Sequence, residues 1–175
     1  TFPQLPADSG VKIKKVILDK ADLITARDKR MPFQHGIEKP MPTKLINTIP
    51  LALQIDTIHI QQSKVTVQES SKATNKWSSI PIEHINGVIT HIKSRHNAND
   101  SLTVTASGKL FNNHIRHFSY RESYGDSLSA FHAQSNLSPV FLTDFSQIAM
   151  PMAAVRVNSG YADTVFATWS GNKYA

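Results

Sequence analysis

The chain has 175 residues, of which 40% are hydrophobic, with a formal net charge of +6 and no cysteine. This composition excludes intrinsic disorder, disulfides, thiolate catalysis and cysteine-based metal sites. No apolar run approaches the about 20 residues that span a membrane, and no signal sequence follows the first residue, Thr1. We therefore expect residues 1–175 to form a single β-rich domain or a segment of a longer protein, with any membrane anchor outside it.

Residues 11–27 and 53–69 share one apolar pattern at a constant offset of 42 residues. In each copy the apolar positions change parity partway, at residues 14–15 in the first and at residues 56–57 in the second. Because strand side chains alternate between faces, the apolar ones stay on one face only if a β-bulge lies at each parity change. We interpret each copy as a bulged hairpin, with residues 61–63 supplying the turn of the second.

The segment at residues 31–50 contains four prolines and predicts a crossing loop, with a short helical turn near residues 43–48. A polar stretch at residues 70–79 predicts a hairpin tip or loop. Residues 85–92 then predict a strand in which Gly87 marks a bulge or a close approach of backbones.

Strict alternation of apolar and polar residues at 102–110 predicts the clearest half-buried strand of the chain. Further strands are predicted at residues 114–120, 126–134, 153–158 and 161–169. Between them, helical spacing of apolar residues predicts one short helix at 139–149, beginning at a proline and ended by Pro151. The predicted fold class is all-β, mainly antiparallel, with a curved and bulged sheet, repeat-like hairpins and one short helix.

No group of residues frames a catalytic site. There is no nucleophile elbow, no glycine-rich phosphate loop and no pair of carboxylates in a short segment. The chain has eight histidines; His114 and His117 lie three apart on a predicted strand and should point to opposite faces, which disfavours a metal site. Arg116, Phe118 and Tyr120 alternate like a nucleic-acid-binding strand, but half-buried strands commonly show this pattern. We predict a non-enzyme with no cofactor, no metal and no nucleic-acid partner.

Residues 53–69 read Leu-x-Ile-Asp-x-Ile-x-Ile-x-x-Ser-x-Val-x-Val-x-Glu and are followed by Ile-x-Gly-x-Ile at residues 85–89. This pattern resembles the hairpin of the AsmA-like family, the TamB- and YhdP-type bacterial envelope proteins. The proline-rich approach to it is most similar to the long AsmA-like proteins of Bacteroidetes. The resemblance covers residues 11–170 loosely and residues 50–92 most specifically, and Val67 departs from it because the family favours tyrosine there.

The resemblance implies a non-enzymatic periplasmic segment of a parent protein that is anchored in the inner membrane. Its implied role is phospholipid transport or outer-membrane assembly together with other envelope proteins. It also implies an apolar groove that need not close on itself, because phospholipid acyl chains would cover the apolar strands. The predicted lining of this groove consists of Leu53, Ile55, Ile58, Ile60, Leu102, Val104 and Leu110. At each of these positions ordinary core packing is the alternative.

Two other classes of function stay open at this point. One is a secreted or surface β-sandwich that binds glycan or protein through its loops. The other is a hydrolase whose catalytic residues are dispersed along the chain. Neither has a motif in the sequence that selects it.

Overall fold

The computed structural model describes residues 10–32 and 40–173. Most of the described residues form strands, because alternating β-branched and polar residues suit a pleated, half-buried surface. In chain order the elements are β1 (Val11–Asp19), β2 (Asp22–Arg27), α1 (Pro42–Asn47), β3 (Leu53–Ser70), β4 (Trp77–Lys93), β5 (Ser101–Leu110), β6 (Asn113–Ser123), β7 (Phe131–Leu137), β8 (Val140–Phe141), a 3-10 turn (Leu142–Phe145), α2 (Ser146–Ala153), β9 (Tyr161–Ala162) and β10 (Val165–Gly171).

One eight-stranded sheet organises these elements. Its strand order is β1-β3-β4-β5-β6-β7-β10, and β2 lies beside the second half of β3. Strands β3 to β7 form an antiparallel meander, and β10 returns antiparallel to β7. Strands β8 and β9 form a separate two-stranded ribbon. The predicted fold class, all-β and mainly antiparallel, is confirmed.

The 42-residue offset between residues 11–27 and 53–69 is the register of a parallel strand pair. Each paired residue of β1 and β2 meets the residue 42 positions later in β3. Because β3 runs unbroken from its first residue to its last, the prediction of two hairpins is wrong. The predicted turn at residues 61–63 is instead a β-bulge with Gln62 at φ 45°, and the matching Lys20, between β1 and β2, has φ 53°. Two segments with the same apolar pattern can pair in parallel, because each apolar residue of one segment then lies beside the corresponding apolar residue of the other.

The parity change at residues 56–57 interrupts the pairing of β3 without shifting its register. The ladder between β3 and β4 skips Asp56 and the residue opposite it, His91, which has φ 61°. Ile55 and Ile58, on either side of the interruption, nevertheless contact the same apolar cluster. The predicted consequence, apolar side chains kept on one face, is therefore present, although β3 gains no extra residue here.

Bulges in neighbouring strands form a line across the sheet. Lys20 separates β1 from β2, and extra residues enter β3 at Gln62, β4 at His84 and β6 at Arg116. An extra residue bends its strand and increases the local twist. We call these four residues the bulge line; because they lie side by side, they bend the sheet at one level between β1 and β6.

Gly87 lies at the predicted close approach of two strands. A Cβ added there would stand 2.5 Å from the carbonyl oxygen of Thr105 and 2.8 Å from the Cβ of Ala106. We expect Gly87→Ala to lower the free energy of unfolding by about 1–3 kcal/mol, because β4 and β5 would have to move apart. Urea unfolding followed by circular dichroism measures this loss. Thr105→Ala, at an exposed position of β5, is the control, and a Gly87→Ala variant as stable as this control would contradict the expectation.

The helical segments depart from their predicted bounds. The helical turn predicted near residues 43–48 is confirmed as α1, and residues 33–39 of the predicted crossing loop lie outside the described residues. The helix predicted at 139–149 is replaced by β8, the 3-10 turn and α2, and Pro151 lies inside α2 instead of ending it. None of the helices in the described ranges has the length and hydropathy of a membrane span.

Three of the predicted strands are also corrected. The strand predicted at 161–169 is divided into β9, which pairs with β8, and β10, which pairs with β7. The strand predicted at 153–158 is absent, because α2 ends at its left-handed cap Ala154 and the residues that follow are irregular. The strand predicted at 126–134 begins later, at Phe131. Ser129, within the mispredicted part, is buried in a positive-φ conformation that regular strand pairing does not use.

Candidate functional site: the apolar face of the sheet

The two faces of the sheet differ in chemistry. Residues that pair across neighbouring strands share a face, so a row of pairs identifies that face. One row, apolar except for a phenol, consists of Ile58, Ile89, Val104, Tyr120 and Ala133. The adjacent row, on the opposite face, is polar throughout and consists of Thr57, Thr90, Thr103, Arg121 and His132. We call these the apolar face and the polar face.

All seven residues of the predicted lining lie on the apolar face. Ile55, Ile58 and Leu102 meet in one cluster with Ile92 and Tyr124. The remaining members share the face by pairing or by alternation with these residues, and they are Leu53, Ile60, Val104 and Leu110. The set therefore extends along the strands from one end of the sheet, past the bulge line, to the other.

The helix α1 lies over one end of the apolar face, and α2 contacts the opposite end of the sheet. At one end, Ile46 of α1 packs on the cluster that contains Ile92, which is 7% exposed. At the other end, the hydroxyls of Ser71 and Thr74, just beyond β3, donate to carbonyls of α2. Buried Asn113 accepts a hydrogen bond there from the backbone N–H of Phe141 at 2.8 Å.

Between these ends the apolar side chains are only partly covered. Ile60, Val104 and Phe118 have intermediate exposure there. Ile58, Ile89 and Tyr120 also have intermediate exposure, although they pack against the cluster under α1. On the outer strands, Leu18 is 42% and Trp169 is 48% exposed. An apolar surface that crosses several strands and stays in contact with water is typical of a binding surface.

A buried carboxylate attaches α1 to the apolar face. Glu122 is 1% exposed and accepts hydrogen bonds from the backbone N–H of Thr43 at 3.2 Å and from its hydroxyl at 2.5 Å. The hydroxyl of Tyr120 donates to the same carboxylate at 2.9 Å. Burial first, and then this contact with Glu122, raise the pKa of Tyr120, so the phenol stays a neutral donor.

Sequence reasoning missed the group of Glu122, Thr43 and Tyr120. Tyr120 and Glu122 share a strand face, and this alternation is the available signal for the carboxylate. Thr43 comes from the predicted loop and offers no such signal. It is 79 positions from Glu122 in the sequence, and only the tertiary fold brings the two residues together.

The bulge at Arg116 changes two predictions about β6. His114 and His117 pair with polar-face residues of neighbouring strands, so the prediction that they point to opposite faces is wrong. Phe118 and Tyr120 lie on the apolar face, whereas Arg116 is the extra residue, so the alternation that suggested nucleic-acid binding does not form. Within the described ranges, no three His, Asp or Glu side chains are grouped as a metal site would require.

The geometry of the described residues defines a class of protein: one large amphipathic β-sheet with a helix packed on one end of its apolar face. No protein-family model matches the chain, and no match was found among the curated proteins or the solved structures compared with it. The resemblance to AsmA-like proteins accordingly rests on the sequence pattern of residues 11–170, which is most specific at residues 50–92.

Proposed function

We propose that this chain is a periplasmic segment of an AsmA-like envelope protein and that its apolar face holds phospholipid acyl chains without catalysing a reaction. The observation that carries the proposal is the partly exposed apolar band in the middle of the sheet, represented by Ile60, Val104 and Phe118. In this proposal the parent protein is anchored in the inner membrane. It works with other envelope proteins in phospholipid transport or outer-membrane assembly.

Acyl chains suit this surface for a physical reason. Apolar side chains in contact with water are stabilised by any apolar partner that removes that contact, by about 25 cal/mol for each Å² covered. An acyl chain is long, narrow and flexible, so it can lie along rows whose shape varies at a bulge line. The polar face carries threonine, arginine and histidine at the matching positions of β4 to β7, so these strands offer no comparable apolar band on that side.

The alternative of a β-sandwich binding module has less support. A sandwich closes its core by packing two sheets face to face. Residues 10–32 and 40–173 contain one large sheet and one two-stranded ribbon, so within these ranges the apolar face has no second large sheet against it.

The test compares two adjacent residues of β1 that lie on opposite faces. Leu18 pairs with Ile60 on the apolar face and Ile17 pairs with His59 on the polar face, and both are well exposed, at 42% and 53%. We expect native mass spectrometry of protein purified from cells to show bound phospholipid. Leu18→Asp should lower the lipid-bound fraction by about fivefold or more, because a carboxylate then meets the acyl chain, whereas Ile17→Asp should leave it unchanged.

The purified protein is also incubated with phospholipid and measured again. Protein that is lipid-free in both samples would contradict the proposal, as would an equal loss of bound lipid in the two variants. A lipid-free dimer that Leu18→Asp converts to monomer would also contradict it, since the apolar faces of two copies would then cover each other. Circular dichroism spectra of both variants verify that the sheet is intact.

A further inference from the structure

A concave feature lies where the bulge line crosses β4, β5 and β6. It is a hollow of about 430 Å³. His84 and Arg116, two members of the bulge line, both contribute to its wall. Ser107 lies between them on β5, and the ladder of β5 with β6 skips both Ser107 and Arg116. Bulges leave such positions out of the regular pairing, which opens the space between the strands.

The lining of this hollow is basic. Four of its side chains are His84, Lys109, His114 and Arg116, and no Asp or Glu among the described residues lines it. Lys109 and His114 form a cross-strand pair, so two positively charged or proton-donating groups stand directly opposite each other. The guanidinium Nε of Arg116 donates to the carbonyl oxygen of Ser138 at 3.3 Å, which fixes the side chain beside the opening.

The neighbouring carboxylate already has a partner. Glu83 pairs with Lys109 across β4 and β5, but its carboxylate lies 2.8 Å from the ammonium of Lys64. That hydrogen bond lowers the pKa of Glu83, and the charges of His84 and Lys109 lower it further. The positive field of the hollow therefore extends to this carboxylate, while Lys64 is the group that neutralises it.

We propose that this hollow, defined by His84, Lys109, His114 and Arg116, binds a phosphate group. A guanidinium offers paired donors that match phosphate oxygens, and an ammonium adds a point charge. The volume is within the range of small-ligand sites, so it accommodates a phosphate together with part of the molecule that carries it. Ser107, Lys109 and His114 lie on the polar face, so their side chains are on the opposite side of the sheet from the acyl-chain surface.

The experiment is a titration of the isotopically labelled protein with inorganic phosphate at constant ionic strength, followed by backbone amide chemical shifts, with chloride as the reference salt. Saturable shifts are expected at residues around the hollow. Arg116→Gln and Lys109→Gln should each weaken binding by about tenfold, because each removes a charge-assisted hydrogen bond. The matched control is Arg121→Gln, also exposed on β6 but bonded to Ser101, and it should change the affinity less than about twofold.

Two further ligands distinguish the sources of the phosphate. Glycerol 3-phosphate represents soluble phosphate esters, and phosphatidylglycerol vesicles represent a lipid headgroup. Binding of the soluble ester alone assigns the site to a soluble ligand, and vesicle binding that Arg116→Gln abolishes assigns it to a headgroup. Shifts no larger than those with chloride, or an equal loss in Arg121→Gln, would overturn the proposal. Leu18→Asp should leave phosphate binding unchanged. The phosphate titration therefore tests this site independently of the acyl-chain proposal, and either proposal can fail without the other.

Discussion

Replacing Glu122 by alanine is expected to lower the free energy of unfolding by about 2–4 kcal/mol. The substitution removes the common acceptor of three hydrogen bonds, two from Thr43 and one from Tyr120. Thr43 is fully buried, so its backbone N–H and hydroxyl would lose their acceptor away from water. The helix α1 would then lose the attachment that holds its first turn against β6. Urea unfolding monitored by circular dichroism measures the loss.

Two further variants show whether this effect comes from the buried hydrogen bonds. Glu122→Gln keeps an acceptor oxygen in place, so its loss should be smaller than that of Glu122→Ala. Glu83→Ala removes an exposed carboxylate that pairs with Lys64, and its stability should change little, since water replaces the lost partner. A Glu122→Ala variant as stable as Glu83→Ala would show that α1 is held by apolar contacts alone.

The alternation of residues made the strands and the apolar face predictable, but it did not determine how the two similar segments pair. Residues 11–27 and 53–69 need the same apolar pattern whether they form two hairpins or one parallel pair. The left-handed conformation at Gln62 also suits both a tight turn and a bulge. Long-range pairing decided between them, and a single sequence does not display it. The seven residues of the predicted lining could be assigned to one face because their alternation is visible between neighbours in the sequence.

The parts of the molecule that were missed depend on long-range contacts or on a shift of one residue. Thr43 meets Glu122 only because the fold packs α1 against β6. The extra residue at Arg116 reverses the parity of β6, so His114 and His117 share a face that uniform alternation would deny them. The basic hollow arises from the same bulge and for the same reason. Its residues are scattered along three strands and have no common spacing.

A comparison of two isoleucines on the apolar face separates covered core from open surface. Ile92 is 7% exposed and packs with Leu102 and Tyr124 under α1, so Ile92→Ala should lower the free energy of unfolding by about 3 kcal/mol. Ile60 lies on the middle rows, opposite Gly87 and beside Leu18, and it is partly exposed. Because water already reaches its side chain and no closed cavity would form, Ile60→Ala should cost only about 1 kcal/mol.

The same pair of variants also bears on the ligand. A phospholipid that binds only the folded chain raises its stability by mass action, so urea unfolding should be repeated with and without phospholipid. The stabilisation by lipid should be reduced in Ile60→Ala, whose side chain contributes to the open band, and retained in Ile92→Ala, whose side chain lies beneath α1. Equal costs for the two substitutions without lipid would mean that the middle of the sheet is packed as closely as its end. An acyl chain would then have no partly exposed band to cover.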